Sequence, residues 1–277
     1  MRVYISVDME GISGVATGGQ LSDQDYRRFC HLMTQDVNAA IEGAFRAGAT
    51  KVLVNDAHGK MTNIVVEELD ERATLISGSN KHLCQMEGID QGFDAVFFIG
   101  YHAREGSDRA VINHTIAGVA TTEIRRNGVP VGETAINAGI AGYYGVPVVL
   151  VTGDDKVVAE ARHFLGDEIE TVTVKTGLDR YAAECIPPKR TQKMIAEAAE
   201  RALKKAKQIK PHFIEGPVTF EVEFKLTNQA YMASVFPCVE KIGPKTCRVS
   251  DRDYPLAYRK LWGAIIVAMA ATKGLFN

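Results

Sequence analysis

The chain has 277 residues, of which 46% are hydrophobic and 24% are charged, and its formal net charge at pH 7 is -2. These values are typical of a folded globular protein and exclude a largely disordered, collagen-like or coiled-coil chain. Because the charges nearly balance, we expect neither nucleic acid nor an anionic membrane as a partner. The longest apolar runs fall well short of the ~20 residues that a transmembrane helix needs.

The cysteines and the N-terminal residues bear on the compartment in which the protein works. The five cysteines are an odd number, widely spaced and without a CxxC pair, which is typical of reduced thiols. The opening sequence MRVYISVDMEG predicts a strand followed by acidic residues rather than a signal peptide. We therefore expect a cytoplasmic protein.

Short apolar, β-branched runs alternate with helical periodicity over the first two thirds of the chain, which indicates βαβ units. Strands are predicted at residues 2–7, 51–54, 74–77, 95–100 and 146–152, with an extended segment at 110–116. Helices are predicted from Asp23 to Ala47, at 133–144 and at 155–165. Since several strands are apolar on both faces, we expect an α/β fold with a largely parallel sheet flanked by helices.

The pattern changes after Pro187 and Pro188, a pair that can open a helix but cannot continue one. We take it as a boundary between a larger α/β domain, residues 1–187, and a smaller C-terminal α+β domain, residues 188–277. In the smaller domain we predict helices at 189–207 and 254–272 and strands at 218–224 and 246–249.

Acidic residues and histidines fall at the carboxyl ends of the predicted strands. These residues are Asp8, Glu10, His58, His102 and Glu133. In open α/β sheets ligands bind beyond the carboxyl ends of the strands, so residues distant in sequence can converge there. Three carboxylates and two imidazoles suit zinc and, less exclusively, manganese or cobalt. Since five ligands exceed the usual three of one catalytic zinc, the set predicts two metal ions about 3.5–4 Å apart that share a carboxylate.

Each of these residues also has an ordinary structural interpretation. Asp8 could be a turn residue, and Glu133 could be a first-turn carboxylate that the helix dipole favours. A single histidine after a strand is more often a hydrogen-bonded polar residue than a ligand. Only the joint placement at successive strand ends favours a metal site. Asp154 precedes a predicted helix, and N-capping is its predicted role.

Short motifs give the chain a resemblance to a known family. Residues 6–11, SVDMEG, match the SxDxEG motif of the DppA-type D-aminopeptidases, a family of metallopeptidases. Further blocks are similar in order and spacing: VNDAH at 54–58, GYHAR at 100–104, PVGE at 130–133, and AGYY at 141–144 leading to GDD at 153–155. The resemblance covers nearly the whole chain. It implies that Asp8, Glu10, His58, His102 and Glu133 hold two zinc ions, and that chains assemble into a ring-stacked homodecamer.

His114 is predicted to act in catalysis without binding metal. In an extended stretch, alternation would place Ile112, His114 and Ile116 on one face, where the ordinary interpretation is a half-buried core histidine. Because the stretch follows His102 closely, a tight return could bring His114 to the site, where a neutral imidazole can accept a proton. In the resembling family a histidine near this place is the proposed nucleophile or general base.

The predicted function is that of a zinc-dependent aminopeptidase, which releases the N-terminal residue, by resemblance a D-amino acid, from short peptides. Two alternatives stay open. The same centre would suit a two-metal amidase or phosphoesterase that acts on another small substrate. Apart from Arg104, however, we find no basic cluster and no glycine-rich loop that would bind a phosphate. The second alternative is a non-catalytic metal-binding ring that acts as a scaffold, which a closed coordination shell would favour.

Overall fold

The computed structural model describes residues 1–22 and 25–272. Its strands are β1 (Arg2–Val7), β2 (Lys51–Asp56), β3 (Ala73–Ile76), β4 (Ala95–Tyr101), β5 (Thr121–Arg126), β6 (Val129–Pro130), β7 (Val148–Asp154), β8 (Glu170–Asp179), β9 (Ala182–Cys185), β10 (Val218–Phe224), β11 (Glu240–Lys241) and β12 (Thr246–Asp251). Its α-helices are α1 (Tyr26–Arg46), α2 (Glu133–Tyr143), α3 (Asp155–Leu165), α4 (Pro188–Lys205), α5 (Thr227–Ala233) and α6 (Tyr254–Ala270). Short 3₁₀ turns lie at Gly18–Leu21, Val66–Glu68, Cys84–Met86, Ile89–Gln91 and Ala206–Gln208.

In the part of the chain that the structure describes, the strands form two sheets. The main sheet has the order β3-β2-β1-β4-β7-β8-β9, and its neighbours pair in parallel except for β9. Every residue of the central strands β4 and β7 is buried, as a sheet covered on both faces requires. Two helix pairs pack with this sheet, α1 with α4 and α2 with α3. The predicted α/β fold is therefore confirmed.

The predicted elements differ from the observed ones by a few residues at their ends. Strand β2 continues to Asp56 and β7 to Asp154, so polar residues extend the apolar runs on which the predictions rested. The predicted helix start at Asp23 lies outside the described residues, and α1 begins at Tyr26. Strands β5, β8, β9 and β11 and helix α5 were not predicted. None of the helices in the ranges 1–22 and 25–272 is long and apolar enough to span a membrane.

The second sheet has the order β11-β12-β10-β5-β6 and is antiparallel. Strands β5 and β6 of this sheet precede the predicted boundary at residues 187 and 188, whereas β10, β11 and β12 follow it. Helix α4, which follows the boundary, packs against α1 on the main sheet. The boundary therefore does not separate the two sheets, and the division into residues 1–187 and 188–277 stays a prediction.

The loop after β1 crosses directly over the end of β4. Gly11 N donates a hydrogen bond of 2.8 Å to Gly100 O. A Cβ atom at Gly11 would collide with the backbone oxygen of Tyr101, and one at Gly100 would collide with that of Asp8. Gly100 also has a φ of +70°, a conformation that favours glycine. These close approaches place the acidic residues of the loop above the carboxyl edge of the main sheet.

Candidate metal centre

Six side chains meet above the carboxyl edge of the main sheet, and they fall into two groups of possible metal ligands. The His58 group contains Asp8, Glu10 and His58, and the His102 group contains His102, His114 and Glu133. Within each group one ligand atom per residue lies within 4.8 Å of the others. The structure therefore brings together all the residues that the strand-end pattern singled out.

In the His58 group, one imidazole nitrogen faces two carboxylates. His58 Nδ1 lies 2.9 Å from Glu10 Oε2 and 3.2 Å from Asp8 Oδ1. Asp8 and Glu10 follow β1 two positions apart, and His58 follows β2, the parallel neighbour of β1. The adjacency of these two strands in the sheet is what places the imidazole against the acids.

In the His102 group, two stacked imidazoles face one carboxylate. The rings of His102 and His114 lie 4.1 Å apart and are inclined by 14°. Glu133 Oε1 lies 3.4 Å from His102 Nε2 and 3.8 Å from His114 Nε2. Glu133 is the first residue of α2, and His102 follows β4 directly.

Asp8 joins the two groups. Its Oδ1 faces His58 Nδ1 at 3.2 Å, and its Oδ2 faces His102 Nε2 at 3.4 Å. A carboxylate with one oxygen toward each group is the arrangement that a bridging ligand between two metal ions requires. The predicted shared carboxylate therefore has a specific candidate, Asp8.

Hydrogen bonds to backbone carbonyls fix the tautomers of two histidines. His102 Nδ1 donates to Ala103 O at 3.0 Å, and His114 Nδ1 donates to Ile112 O at 2.8 Å. When each ring is neutral, its Nε2 atom therefore carries no hydrogen, and the lone pair on Nε2 points at carboxylates. His102 Nε2 is buried and has no hydrogen-bond partner within the described ranges. A metal ion would bind that lone pair, so this set of donor atoms fits the zinc ions that the sequence implies.

Burial and mutual charge shift the pKa values across the centre. Burial raises the pKa of Asp8, and the neighbouring Glu10 raises it further. Burial by itself would raise the pKa of Glu133, but the charges of His102 and His114 and the hydrogen bonds from His102 and Gln85 together outweigh it and lower the pKa to about 2. Burial by itself would lower the pKa values of His58 and His102, but two carboxylates act together on each ring: Glu10 with Asp8 raises the pKa of His58 well above its ordinary value, and Glu133 with Asp8 does the same for His102. Without a metal ion, protonated imidazoles thus balance the negative charge of the carboxylates. A divalent cation could take the place of these protons.

The loop that carries His114 differs from its prediction. Residues 110–116 form turns rather than an extended stretch, and Ile112 and Ile116 have φ angles of 47° and 63°. The predicted alternation of faces is therefore wrong. The predicted return to the site is confirmed, because His114 Nε2 lies 3.9 Å from Glu10 Oε1. Ile112 N donates to Arg180 O at 2.8 Å, which holds the turn against the end of β8.

Asp154 has the predicted N-capping role and a second role that was not predicted. Its Oδ1 accepts hydrogen bonds from Lys156 N and Val157 N at the start of α3. Its Oδ2 accepts one of 2.8 Å from Val111 N, in the loop that carries His114. The side chain therefore joins the end of β7 to that loop.

A network of buried amide side chains binds Glu133 through Oε2, the oxygen that does not face the histidines, and the sequence did not predict it. Gln85 Nε2 donates to Glu133 Oε2 at 2.5 Å, and Asn137 Nδ2 donates to Gln85 Oε1 at 2.6 Å. Asn137 also donates to the Tyr101 hydroxyl at 3.0 Å. Asn137 lies one helical turn after Glu133 on α2, a spacing that could have indicated it. Gln85 lies in a 3₁₀ turn, and no sequence signal points to it.

Comparisons with known proteins bear on the fold and on the family resemblance. A family model described as D-aminopeptidase matches residues 1–262. The D-aminopeptidase of Bacillus subtilis (strain 168) is 38% identical over 264 residues, which cover 94% of this chain and 95% of that protein. A solved structure described as the Zn-dependent D-aminopeptidase DppA from Bacillus subtilis, a self-compartmentalizing protease, matches with a TM-score of 0.93 at 36% identity, over 97% of this chain and 98% of that one. The family resemblance read from the motifs is thereby confirmed, and the chain belongs to the D-aminopeptidase family.

Proposed function

We propose that this chain is a zinc-dependent aminopeptidase that releases the N-terminal residue, a D-amino acid, from short peptides. The observation that carries the proposal is the convergence of three carboxylates and three imidazoles above one sheet edge, with Asp8 facing both groups. The family match supports the reaction, and the printed description of the solved relative names zinc.

Two zinc ions per chain would be held by five residues. Asp8, Glu10 and His58 would bind one ion, and Asp8, His102 and Glu133 the other. Zinc bound there would polarise the scissile carbonyl and lower the pKa of a bound water to about 7. The buried lone pair of His102 and the two-sided placement of Asp8 support this assignment.

His114 is the residue that we propose for proton transfer or attack. Its side chain is 17% exposed, whereas those of Asp8, Glu10, His102 and Glu133 are 1–6% exposed, so substrate can reach it. Its Nδ1 hydrogen is held by Ile112 O, which leaves Nε2 to accept a proton during attack on the peptide carbonyl. This open side of the centre supports an enzyme over a scaffold with a closed shell.

The free ammonium of a peptide distinguishes an aminopeptidase substrate from other amides. In this proposal the amine reaches a metal ion or a carboxylate oxygen of the centre, so we expect substrates with an unblocked N-terminus. The D-preference follows from the family description alone.

We also propose a ring-stacked homodecamer in the cytoplasm. The solved relative is described as self-compartmentalizing, which requires assembly. On α6, Leu256 and Ile266 are each 41% exposed although the helix is largely apolar, and such a surface suits burial against another chain. All five cysteines are free, which is consistent with a reducing compartment. Analytical ultracentrifugation at micromolar concentration would overturn the assembly proposal if it gave a monomer.

The function is tested on the full chain reconstituted with zinc. The substrates are matched L- and D-aminoacyl dipeptides, the same peptides with an acetylated amine, and p-nitrophenyl phosphate. We expect release of the N-terminal residue from the D-aminoacyl peptides, abolished by a chelator and restored by zinc. Equal cleavage of the acetylated peptides would indicate an amidase, and hydrolysis of the phosphate alone would indicate a phosphoesterase; either result would overturn the proposal.

A further inference from the structure

Lys175 is a fully buried lysine on β8 that the proposed reaction does not use. Its side chain is 0% exposed. Its Nζ donates hydrogen bonds of 2.5, 2.9 and 2.7 Å to the backbone oxygens of Glu10, Ile12 and Val15. Three simultaneous donors require the charged ammonium, since a neutral amine has only two N–H bonds. The chain therefore places a complete positive charge inside the protein.

A buried charge weakens a core unless every polar atom finds a partner. Two other buried positions of β8, Val172 and Val174, carry apolar side chains and need no such compensation. An apolar side chain at residue 175 would leave the three carbonyls without these donors. The lysine is thus suited to holding a loop rather than to filling space.

The loop that Lys175 holds is the one that carries the acids of the His58 group. Its first half is fixed to β4, because Gly11 N donates to Gly100 O at 2.8 Å. Its second half is fixed by Ser13 N, which donates to Asp36 Oδ2 at 2.9 Å. Lys175 is bonded to both halves and to Glu10 itself. The backbone of Glu10 is therefore anchored independently of its carboxylate.

This anchoring matters because the three carboxylates of the centre repel one another when no cation lies between them. Asp8, Glu10 and Glu133 are 2–5% exposed, so water screens this repulsion weakly. A free loop would relieve the repulsion by moving Glu10 away. The loop is instead held to two strands of the main sheet, β4 and β8.

We propose that Lys175 is a positioning residue that preorganises Glu10 for metal, by fixing the backbone of residues 10–15 before any ion binds. The inference rests on the proposed metal role of Glu10 and is independent of which bond the enzyme cleaves. Removal of Lys175 should therefore weaken zinc binding more than it weakens the chemistry of the fully loaded enzyme.

The test compares Lys175→Met with Lys205→Met in the full chain. Lys205 pairs with Glu170, the first residue of β8, at 2.8 Å. The control variant therefore removes a lysine that contacts the same strand, and it leaves the loop of Glu10 unchanged. Zinc affinity is measured with zinc alone against a competing chelator, and kcat and KM at saturating zinc. We expect Lys175→Met to lose about 10–100-fold in zinc affinity, Lys205→Met to remain within twofold of wild type, and kcat of the loaded Lys175→Met enzyme to change less than its affinity.

Two further measurements separate this role from a purely structural one. Lys175→Gln keeps two N–H donors, so we expect its zinc affinity to lie between those of wild type and Lys175→Met. Hydrogen exchange on the metal-free wild-type chain should already protect the amides of Gly11 and Ser13. Wild-type zinc affinity in a folded Lys175→Met, or protection of these amides only after zinc is added, would overturn the inference. Failure of the wild-type chain to bind zinc would instead overturn the proposed function.

Discussion

Charged side chains are buried at the carboxyl edge of the main sheet and solvated on the outer face of β10 and β12 in the second sheet. At the main sheet, Asp8, Glu10 and Glu133 are 2–5% exposed and face imidazoles. On the second sheet, Glu221 pairs with Arg248 at 2.8 Å, and both side chains are in contact with water. The inward positions of β10 are all buried and alternate with these polar ones.

This difference in burial distinguishes charged side chains that form a site from charged side chains that keep the surface hydrated. Burying a carboxylate is costly, so a cluster of three persists only where partners or a cation compensate it. A solvated pair gains little, because water and salt already screen its charges.

The largest effect is expected for His58→Ala. The substitution removes the nitrogen that faces both Asp8 and Glu10, so the two acids lose their shared ligand partner. Zinc content, measured by elemental analysis, and peptide hydrolysis should be lost together. His163→Ala is the control, since His163 lies on α3 away from the centre. A His58→Ala chain that retained wild-type zinc content would contradict the assignment.

For His114→Ala we expect kcat to fall by ~10²–10⁴-fold while zinc content remains that of wild type, as for loss of a proton-transfer group. The measurement is steady-state kinetics together with elemental analysis of the same preparation. Because His114 Nε2 lies 3.8 Å from Glu133 Oε1, loss of zinc in this variant would make His114 a ligand of the His102 group.

A buried carboxylate outside the centre should make stability depend on pH. Burial raises the pKa of Asp36 from 3.8 to about 6. Because the folded chain keeps this proton to higher pH than the unfolded chain, its stabilising contribution is complete below pH 3.8 and is lost as pH rises to about 6. The difference corresponds to about 3 kcal/mol.

The variant that checks this is Asp36→Asn, whose amide does not titrate and can still accept from Ser13 N. Urea unfolding at several pH values should show the variant gaining stability relative to wild type between about pH 4 and pH 7. A constant difference in the free energy of unfolding over that range would show that Asp36 does not titrate as described.

The smallest effect is expected on the second sheet. Arg248→Ala removes the solvated pair with Glu221 and should leave zinc content and kcat/KM unchanged, with little change in the thermal midpoint. The same assays as for His58→Ala make the comparison direct. A large loss of stability or of zinc would mean that the second sheet supports the centre through these charges.

Much of the main sheet could be predicted because its strands carry local signals. The apolar runs of β1, β4 and β7 reflect burial on both faces, which is a property of each strand alone. The candidate ligands Asp8 and His102 could be predicted because they directly follow β1 and β4. Strand β5 could not, since its sequence TTEIRR carries mixed burial and becomes a strand by pairing with β10 about a hundred residues later.

The sequence indicated, to within a few residues, where the strands end and therefore which side chains are candidate metal ligands, because hydrophobic periodicity and chain position are local properties. It also identified the family, through motifs close to those strand ends. The tertiary structure alone decided that β1 lies between β2 and β4, which brings His58 and His102 to either side of Asp8. It also decided that Lys175 reaches the Glu10 loop, because a hydrogen bond across 165 positions depends on how loops cross the sheet and not on any pattern along the chain.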